Sequence, residues 1–324
     1  RDLVVRLKSA NGWWRDTAQR ILMHRSAEAM NNAATCGPLH LLLFDKKRPA
    51  IQLQAAATIA GIFMKDESIE AESTTVIATL FQRKPTPGFI AGVLRSIGPA
   101  FGNAEADFQD KIRHLIDHQD SAVRLQLILS LGEFKADSGA KLLSKMLHEN
   151  FDDRFLRSAG LTSLTPENIG GVLNEVMSVP ADDLNEELLG MLLAQAAAMG
   201  KGDQLADPLK QLVATIHADS PATRLEMVGN TLNRMINGAG EVIKNDAAFI
   251  AVLKSALDAA MISARDESHD EDQRSAAIRF ADIAERFTGD AKLDTSEFFT
   301  LQTPQSVQIA AANIAAQRAN NDTI

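Results

Sequence analysis

Residues 120–164 read DSAVRLQLILSLGEFKADSGAKLLSKMLHENFDDRFLRSAGLTSL. Two points in this stretch match: Val123-Arg124 and Leu156-Arg157 each open a run of small and apolar residues, a step of about thirty residues apart. Between them Leu142, Leu143, Met146 and Leu147 recur at three- and four-residue spacing, the stripe of an amphipathic helix. The stretch therefore predicts three helices, of which the first and third are equivalent. A helix with one apolar stripe cannot bury it alone, and equivalent helices at a fixed step bury theirs by stacking on one another.

The same pattern, an apolar residue followed often by Arg or Gln and then a small or apolar helical run, returns at Trp14, Ile51, Thr223, Gln273 and Val307, with fainter copies at Ile90 and Leu189. The step is mostly in the thirties and stretches to about fifty before Gln273, where an acidic segment intervenes. Second amphipathic stretches fill the gaps at 107–118, 138–149, 167–178 and 205–217. Breakers at 83–88 (RKPTPG), 165–166 (TP), 179–183 (VPADD) and 219–223 (DSPAT) separate the pairs. Pro166 and Pro221 suit first helical turns, with Thr165 and Ser220 as N-caps. No alternating run is long enough to make a strand. The expected fold is all-α, an α-solenoid (right-handed superhelix) of about eight to nine helical pairs forming a single repeat domain over residues 1–324. The D-x-x-V-R form of Asp120 to Arg124 resembles HEAT repeats rather than tetratricopeptide or ankyrin repeats, which puts the Arg-bearing helix second in each pair, on the concave side.

Composition agrees with helices and limits function. Apolar residues make up 45% of the 324, yet aromatics supply only 5% and Tyr is absent, so the core material is Ala, Leu, Ile and Val. The formal net charge of −9, with basic residues dispersed, argues against binding a nucleic-acid backbone. One cysteine, Cys36, excludes an internal disulfide and a Cys-rich metal site. No apolar run approaches the roughly 18 residues that span a bilayer. The chain begins at Arg1 without a signal-peptide pattern and reads as a piece of a longer polypeptide.

Two segments carry a closer likeness. NGWWRDTAQRIL (11–22) and VRLQLILSLGEF (123–134), followed by DDRFLRSAGLTSL (152–164), resemble the HEAT-repeat region of large planctomycete-type proteins described as membrane-bound dehydrogenases; TPQSVQIAAANIAAQ (303–317) is similar to a further part of that region. The resemblance implies a parent built from a β-propeller, HEAT repeats and a c-type cytochrome domain, and a periplasmic or cell-envelope location. It covers the HEAT portion alone. Covalent haem attachment needs C-x-x-C-H, and Cys36 to His40 reads CGPLH, with one thiol, so no haem or other cofactor is expected in this segment.

Other residues invite chemical readings. His114 and His118, four apart on an expected helix with Asp117 and Asp120 near, have the spacing of two imidazoles on one metal, but Leu115 stands where a zinc hydrolase has Glu. Residues 265–274 (RDESHDEDQR) concentrate carboxylates around His269 without the ligand spacing of a calcium loop, and read as a solvated turn that also suits the next helix N-terminus. Cys36 has no evident base beside it. GKGDQ (200–204) and NGAGE (237–241) lack the spacing of a phosphate loop. Arg15, Arg124, Arg157, Arg224 and Arg274 share one register: they form either a basic ladder for an acidic partner or a set of pairs with nearby Asp16, Asp120, Asp153 and Asp272, and the closeness of those aspartates favours the second.

Trp13 and Trp14, the two tryptophans of the chain, divide by helical phase. Trp14 shares a face with Ala18, Ile21 and Leu22 and is expected in the core, whereas Trp13 points elsewhere and is a contact for a preceding domain. The functional expectation is a non-catalytic scaffold that positions neighbouring domains or binds a protein partner, with Trp13, Arg124, Arg157 and Arg224 as interaction residues. The alternative is an accessory part of a dehydrogenase or electron-transfer protein whose catalytic and haem domains lie outside this chain.

Overall fold

Side-chain caps fix where the helices start. Asp120, Asp153, Asp246 and Asp270 each sit in extended backbone and accept a hydrogen bond from the first-turn N–H groups that follow, and Asn185 does the same for Leu188. The computed structural model describes residues 2–31, 33–63, 81, 85–97, 112–134, 136–180, 183–236 and 240–321, and among these every regular element is a helix. The chain divides into two compact units, Arg1–Val172 and Leu173–Ile324.

The first unit holds α1 (Asp2–Arg6), α2 (Gly12–Asn31), α3 (Ala33–Leu42), α4 (Pro49–Phe63), α5 (Pro87–Ile97), a 3-10 turn (Arg113–Leu115), α6 (Ser121–Leu131), α7 (Ala136–Glu149) and α8 (Arg154–Thr162). Helices α2, α4, α5, α6 and α8 each pack on the next. These are the helices opening near Trp14, Ile51, Ile90, Val123 and Leu156, so the motif-bearing elements lie in one row. Helix α7 lies against both α6 and α8 and turns Leu142, Leu143, Met146 and Leu147 inward, all buried. Helix α9 (Ile169–Met177) crosses the division.

The second unit holds α10 (Glu186–Ala198), α11 (Gly202–Ala214), α12 (Ala222–Met235), α13 (Gly240–Lys244), α14 (Ala247–Arg265), α15 (Glu271–Thr288), a 3-10 turn (Thr295–Phe298) and α16 (Gln305–Asn321). Here α10, α12, α15 and α16 pack in succession, and α11 packs on α14 with the short α13 against both. Helix α14 is long and apolar enough to cross a membrane by length and composition. Packing accounts for that composition: Phe249, Leu253, Ala256, Leu257, Ala260, Met261 and Ala264 are buried. Each large side chain so buried contributes about 1.5–3 kcal/mol.

Neighbouring helices of a row are tied by side chains. Ser130 Oγ donates to Leu94 O at 3.1 Å, Arg95 Nε to Gln126 Oε1 at 3.1 Å, and Gln54 bonds Gln19, joining residues 31 to 36 apart in sequence. In the second unit Arg224 pairs with Glu186 and Arg318 with Asp282, at separations of 38 and 36, while Lys254 of α14 holds Asp290 beyond the end of α15. Arg279 to Glu226 and Arg286 to Asn233 span 53, because α13 and the long α14 stand between α12 and α15. The long step before Gln273 thus comes from added helix as well as from the acidic turn.

Local expectations differ at three places. Trp14 is 42% exposed although Ala18 and Leu22 are buried: it lies on their face but at the first turn of α2, before the row begins to cover it. Ser220 does not cap α12; its Oγ accepts the His217 N–H and closes the preceding turn, and α12 starts after Pro221 without a side-chain cap. Thr165 and Asn168 exchange bonds within one turn, and α9 begins only at Ile169.

Candidate functional site

The recurrent arginines close turns. Arg124 Nη1 donates to His118 O at 2.7 Å, Arg157 Nη1 to Phe151 O at 2.9 Å and Arg15 Nη1 to Ser9 O at 2.8 Å, each reaching a carbonyl six residues back. Arg274 donates from Nε to Ala264 O at 3.1 Å. Among the described residues none of these four pairs with a carboxylate, so the expected pairs with Asp16, Asp120, Asp153 and Asp272 do not form; Asp120 and Asp153 are instead N-caps of the helices that carry Arg124 and Arg157, and Asp270 caps that of Arg274. The two motif ends therefore divide the turn's backbone: Asp satisfies N–H groups of the helix that begins and Arg satisfies carbonyls left by the segment that ends. Arg157 also lies over the Phe151 ring, 4.9 Å from its centroid. Arg224 is the exception and binds Glu186 of the neighbouring helix. Three of the residues expected at an interaction surface, Arg124, Arg157 and Arg224, are thus half-buried and bonded within the fold.

Trp13 is 63% exposed and stands edge-on to Trp14, ring centroids 4.7 Å apart; the Arg6 guanidinium lies 5.0 Å from the Trp14 centroid. The two rings form an exposed aromatic patch near the start of the first unit.

His114 and His118 do not share an α-helical face. Arg113–Leu115 is a 3-10 turn, and His118 lies beyond it, where its Nδ1 accepts the Asp120 N–H at 3.1 Å. Residues 107–111 of the expected helix lie outside the described residues. Both histidines line a cleft of about 780 Å³ bounded by Phe81, Pro85, Pro87 and Ile90 on one side and by 114–120 on the other. Pro85 and Pro87 present its apolar side over buried Phe81, Ile90 and Leu115, and His114, Asp117, His118 and Asp120 stand along the polar wall. Among the described residues no three His, Cys, Asp or Glu side chains come together as a metal-binding group.

Two arrangements escaped the sequence reading. Cys36 Sγ lies 3.5 Å from His40 Nδ1, one turn apart on α3, a thiol–imidazole contact that C-x-x-x-H spacing on a helix signals. Ser263, His269 and Asp219 form a line: Ser263 Oγ to His269 Nδ1 is 3.2 Å and His269 Nε2 to Asp219 Oδ1 is 3.2 Å. The line has the residue types of a hydrolytic triad but the wrong access, because Ser263 is fully buried and the Asp219 side chain is 83% exposed. It works as a clasp between the acidic turn and the turn before α12. In that turn Asp266 accepts Ser268 Oγ–H and N–H, and the hydroxyl bond, followed by the amide bond, holds its carboxyl below the usual carboxylate range. Residues 200–204 hold Gly200 with φ 72°, a left-handed helix exit, while 237–239 lie outside the described residues.

No protein-family model matches the chain. No curated protein matches it either. Among solved structures it is similar to two crystal structures titled as engineered proteins. One is 16% identical over 97% of each chain with a TM-score of 0.34, and the other is 17% identical over 88% of this chain and 96% of that one with a TM-score of 0.26. Likeness at these scores carries no argument about fold or function.

Proposed function

We propose that the chain is a HEAT-like repeat scaffold, a right-handed α-solenoid of about eight to nine helical pairs over residues 1–324, that positions neighbouring domains or binds a protein partner on its concave face. The observation that carries this reading is the spacing of the ties between helices: 31 to 38 residues along both rows, and 53 where α13 and α14 add length. Such ties join corresponding helices of successive repeats, which is how a solenoid transmits rigidity along its length. No part of this chain is assigned a catalytic step or a cofactor. Trp13 is the residue assigned to a neighbouring domain, since an exposed Trp beside an exposed Trp14 supplies large contact area at low entropic cost. The dehydrogenase-type parent rests on the resemblance of 11–22 and 123–164 alone.

Two measurements test the reading. Small-angle scattering of the isolated chain should give a radius of gyration well above the roughly 20 Å of a compact domain of this length. A photo-crosslinker placed at Trp13 of the full gene product should join the preceding domain, while one at exposed Lys145 on α7 should not. A compact radius, or equal crosslinking from both positions, refutes it. A propeller before this segment and a C-x-x-C-H after it decide the parent.

A further inference from the structure

The cleft beside His118 has a chemistry the scaffold reading leaves unused. Its apolar side is formed by Pro85 and Pro87, whose flat faces accept a methylene stem, over Phe81, Ile90 and Leu115, which are buried beneath them. Its polar wall is acidic. Asp117 is exposed and, among the described residues, has no hydrogen bond or ion pair; Asp120 uses Oδ1 on the Ala122 N–H and retains its second oxygen. Because His118 Nδ1 accepts the Asp120 N–H, its neutral ring carries the proton on Nε2 and offers a donor. The nearby cations bear on this charge to different degrees. Arg124 Nε is buried and its Nη1 is held on the His118 and Gln119 carbonyls, while Arg113 is exposed beside His114.

We propose that this cleft receives an arginine or lysine side chain presented by a peptide segment of the partner; the proposal rests on the scaffold reading and specifies the partner's chemistry. The stem lies on Pro85 and Pro87, the cationic head meets Asp117 and Asp120, and a backbone carbonyl of the guest accepts from His118 Nε2–H. A carboxylate guest meets two like charges, and an uncharged apolar guest leaves them without a counter-ion. A volume of about 780 Å³ exceeds one side chain and admits the flanking peptide. The chain's net charge of −9 favours the same class of partner.

The test uses the whole chain and three blocked tripeptides, acetyl-Ala-X-Ala-amide with X as arginine, norleucine or glutamate, followed by ligand-observed saturation transfer and by amide shifts. The arginine peptide should move amides of residues 115–122, bind at least tenfold more tightly than the norleucine peptide, and weaken as salt rises. The glutamate peptide should not bind. Asp117→Asn should weaken arginine-peptide binding at least threefold and Asp117→Asn/Asp120→Asn at least tenfold. Asn caps a helix as well as Asp does, so α6 keeps its start, and the single exposed variant is a control against misfolding. The proposal is overturned if none of the peptides binds, if norleucine binds as well as arginine, or if the double variant binds the arginine peptide as the wild type does. Failure here with successful crosslinking from Trp13 removes the cleft and leaves the scaffold; failure of both removes both.

Discussion

Removing the Arg157 side chain tests whether the recurrent arginines hold the turns or merely decorate a surface. Arg157→Ala deletes a charge-assisted bond to Phe151 O at 2.9 Å, a half-buried interaction of a kind that contributes about 1.5–3 kcal/mol. It also deletes the contact with the Phe151 ring, which adds about 0.5–1 kcal/mol. Allowing for partial solvation of the guanidinium, the loss is about 2–3 kcal/mol, or roughly thirty- to a hundred-and-sixtyfold in the opening equilibrium of α8. Hydrogen exchange of the α8 amides reads that change directly, and a urea melt gives its global share. Phe151→Leu removes the ring contact but keeps the backbone carbonyl that Arg157 binds, so its loss should be smaller than that of Arg157→Ala. Salt separates the alternatives: a bond to a backbone carbonyl should lose little between about 0.05 and 0.5 M salt, whereas a surface ion pair is screened over that range. A loss below about 0.5 kcal/mol, or one that vanishes in high salt, would refute the turn-closing role.

Gly132→Ala should destabilise the first unit by about 1–3 kcal/mol in the same melt, because a Cβ there would lie 2.7 Å from Ser163 O and 3.0 Å from Ser163 Cα, backbone that cannot step aside. Gly88→Ala, with nothing within 4 Å, should instead be neutral or stabilise slightly, and a similar loss at both sites would point to helix content rather than fit. Asp266 and Asp294 have carboxyls below the usual range, each held chiefly by a serine hydroxyl two residues on, so their folded pKa lies below the unfolded one. The stability they add is present above about pH 4 and disappears as pH falls through the folded values; the melting gap between wild type and Asp266→Asn/Asp294→Asn should close in that window, and a gap constant down to pH 2.5 contradicts it. Arg318→Ala leaves the buried Glu285 carboxylate without its cation and Asp282 with Arg286 alone, at a cost of about 2–3 kcal/mol after discounting for the partly exposed guanidinium. Limited proteolysis should then cut within 289–304 first, and an unchanged digest contradicts the role given to Arg318.

The helical class was readable because apolar spacing is dictated by the helix itself: Leu142, Leu143, Met146 and Leu147 lie inward as their spacing demands. The row of motif-bearing helices was readable for the same reason. What the Arg and Asp of each motif bind was not. Sequence proximity pairs Asp120 with Arg124, but a helix start offers unbonded N–H groups and the preceding turn offers carbonyls, and both side chains answer those backbone demands first. Trp14 has the right phase and the wrong height along α2, and phase alone does not tell where a neighbour stops. His114 and His118 fail as a helical pair because the backbone tightens to a 3-10 turn at Arg113–Leu115, yet they meet at one cleft, a juxtaposition that needs α5 in place.

Glu285 has a consequence for how the second unit bears load. Its Oε1 accepts the backbone N–H groups of Lys292 and Leu293, and its Oε2 holds Arg318. One carboxylate thus fastens α15, the strap that follows it and the last helix. Tension applied at the end of α16 is shared between the packing of α16 on α15 and the hold of Arg318 on that carboxylate. The segment after Gly289 should yield as a single piece, in one step of force, with Glu285 as the rivet that sets its height.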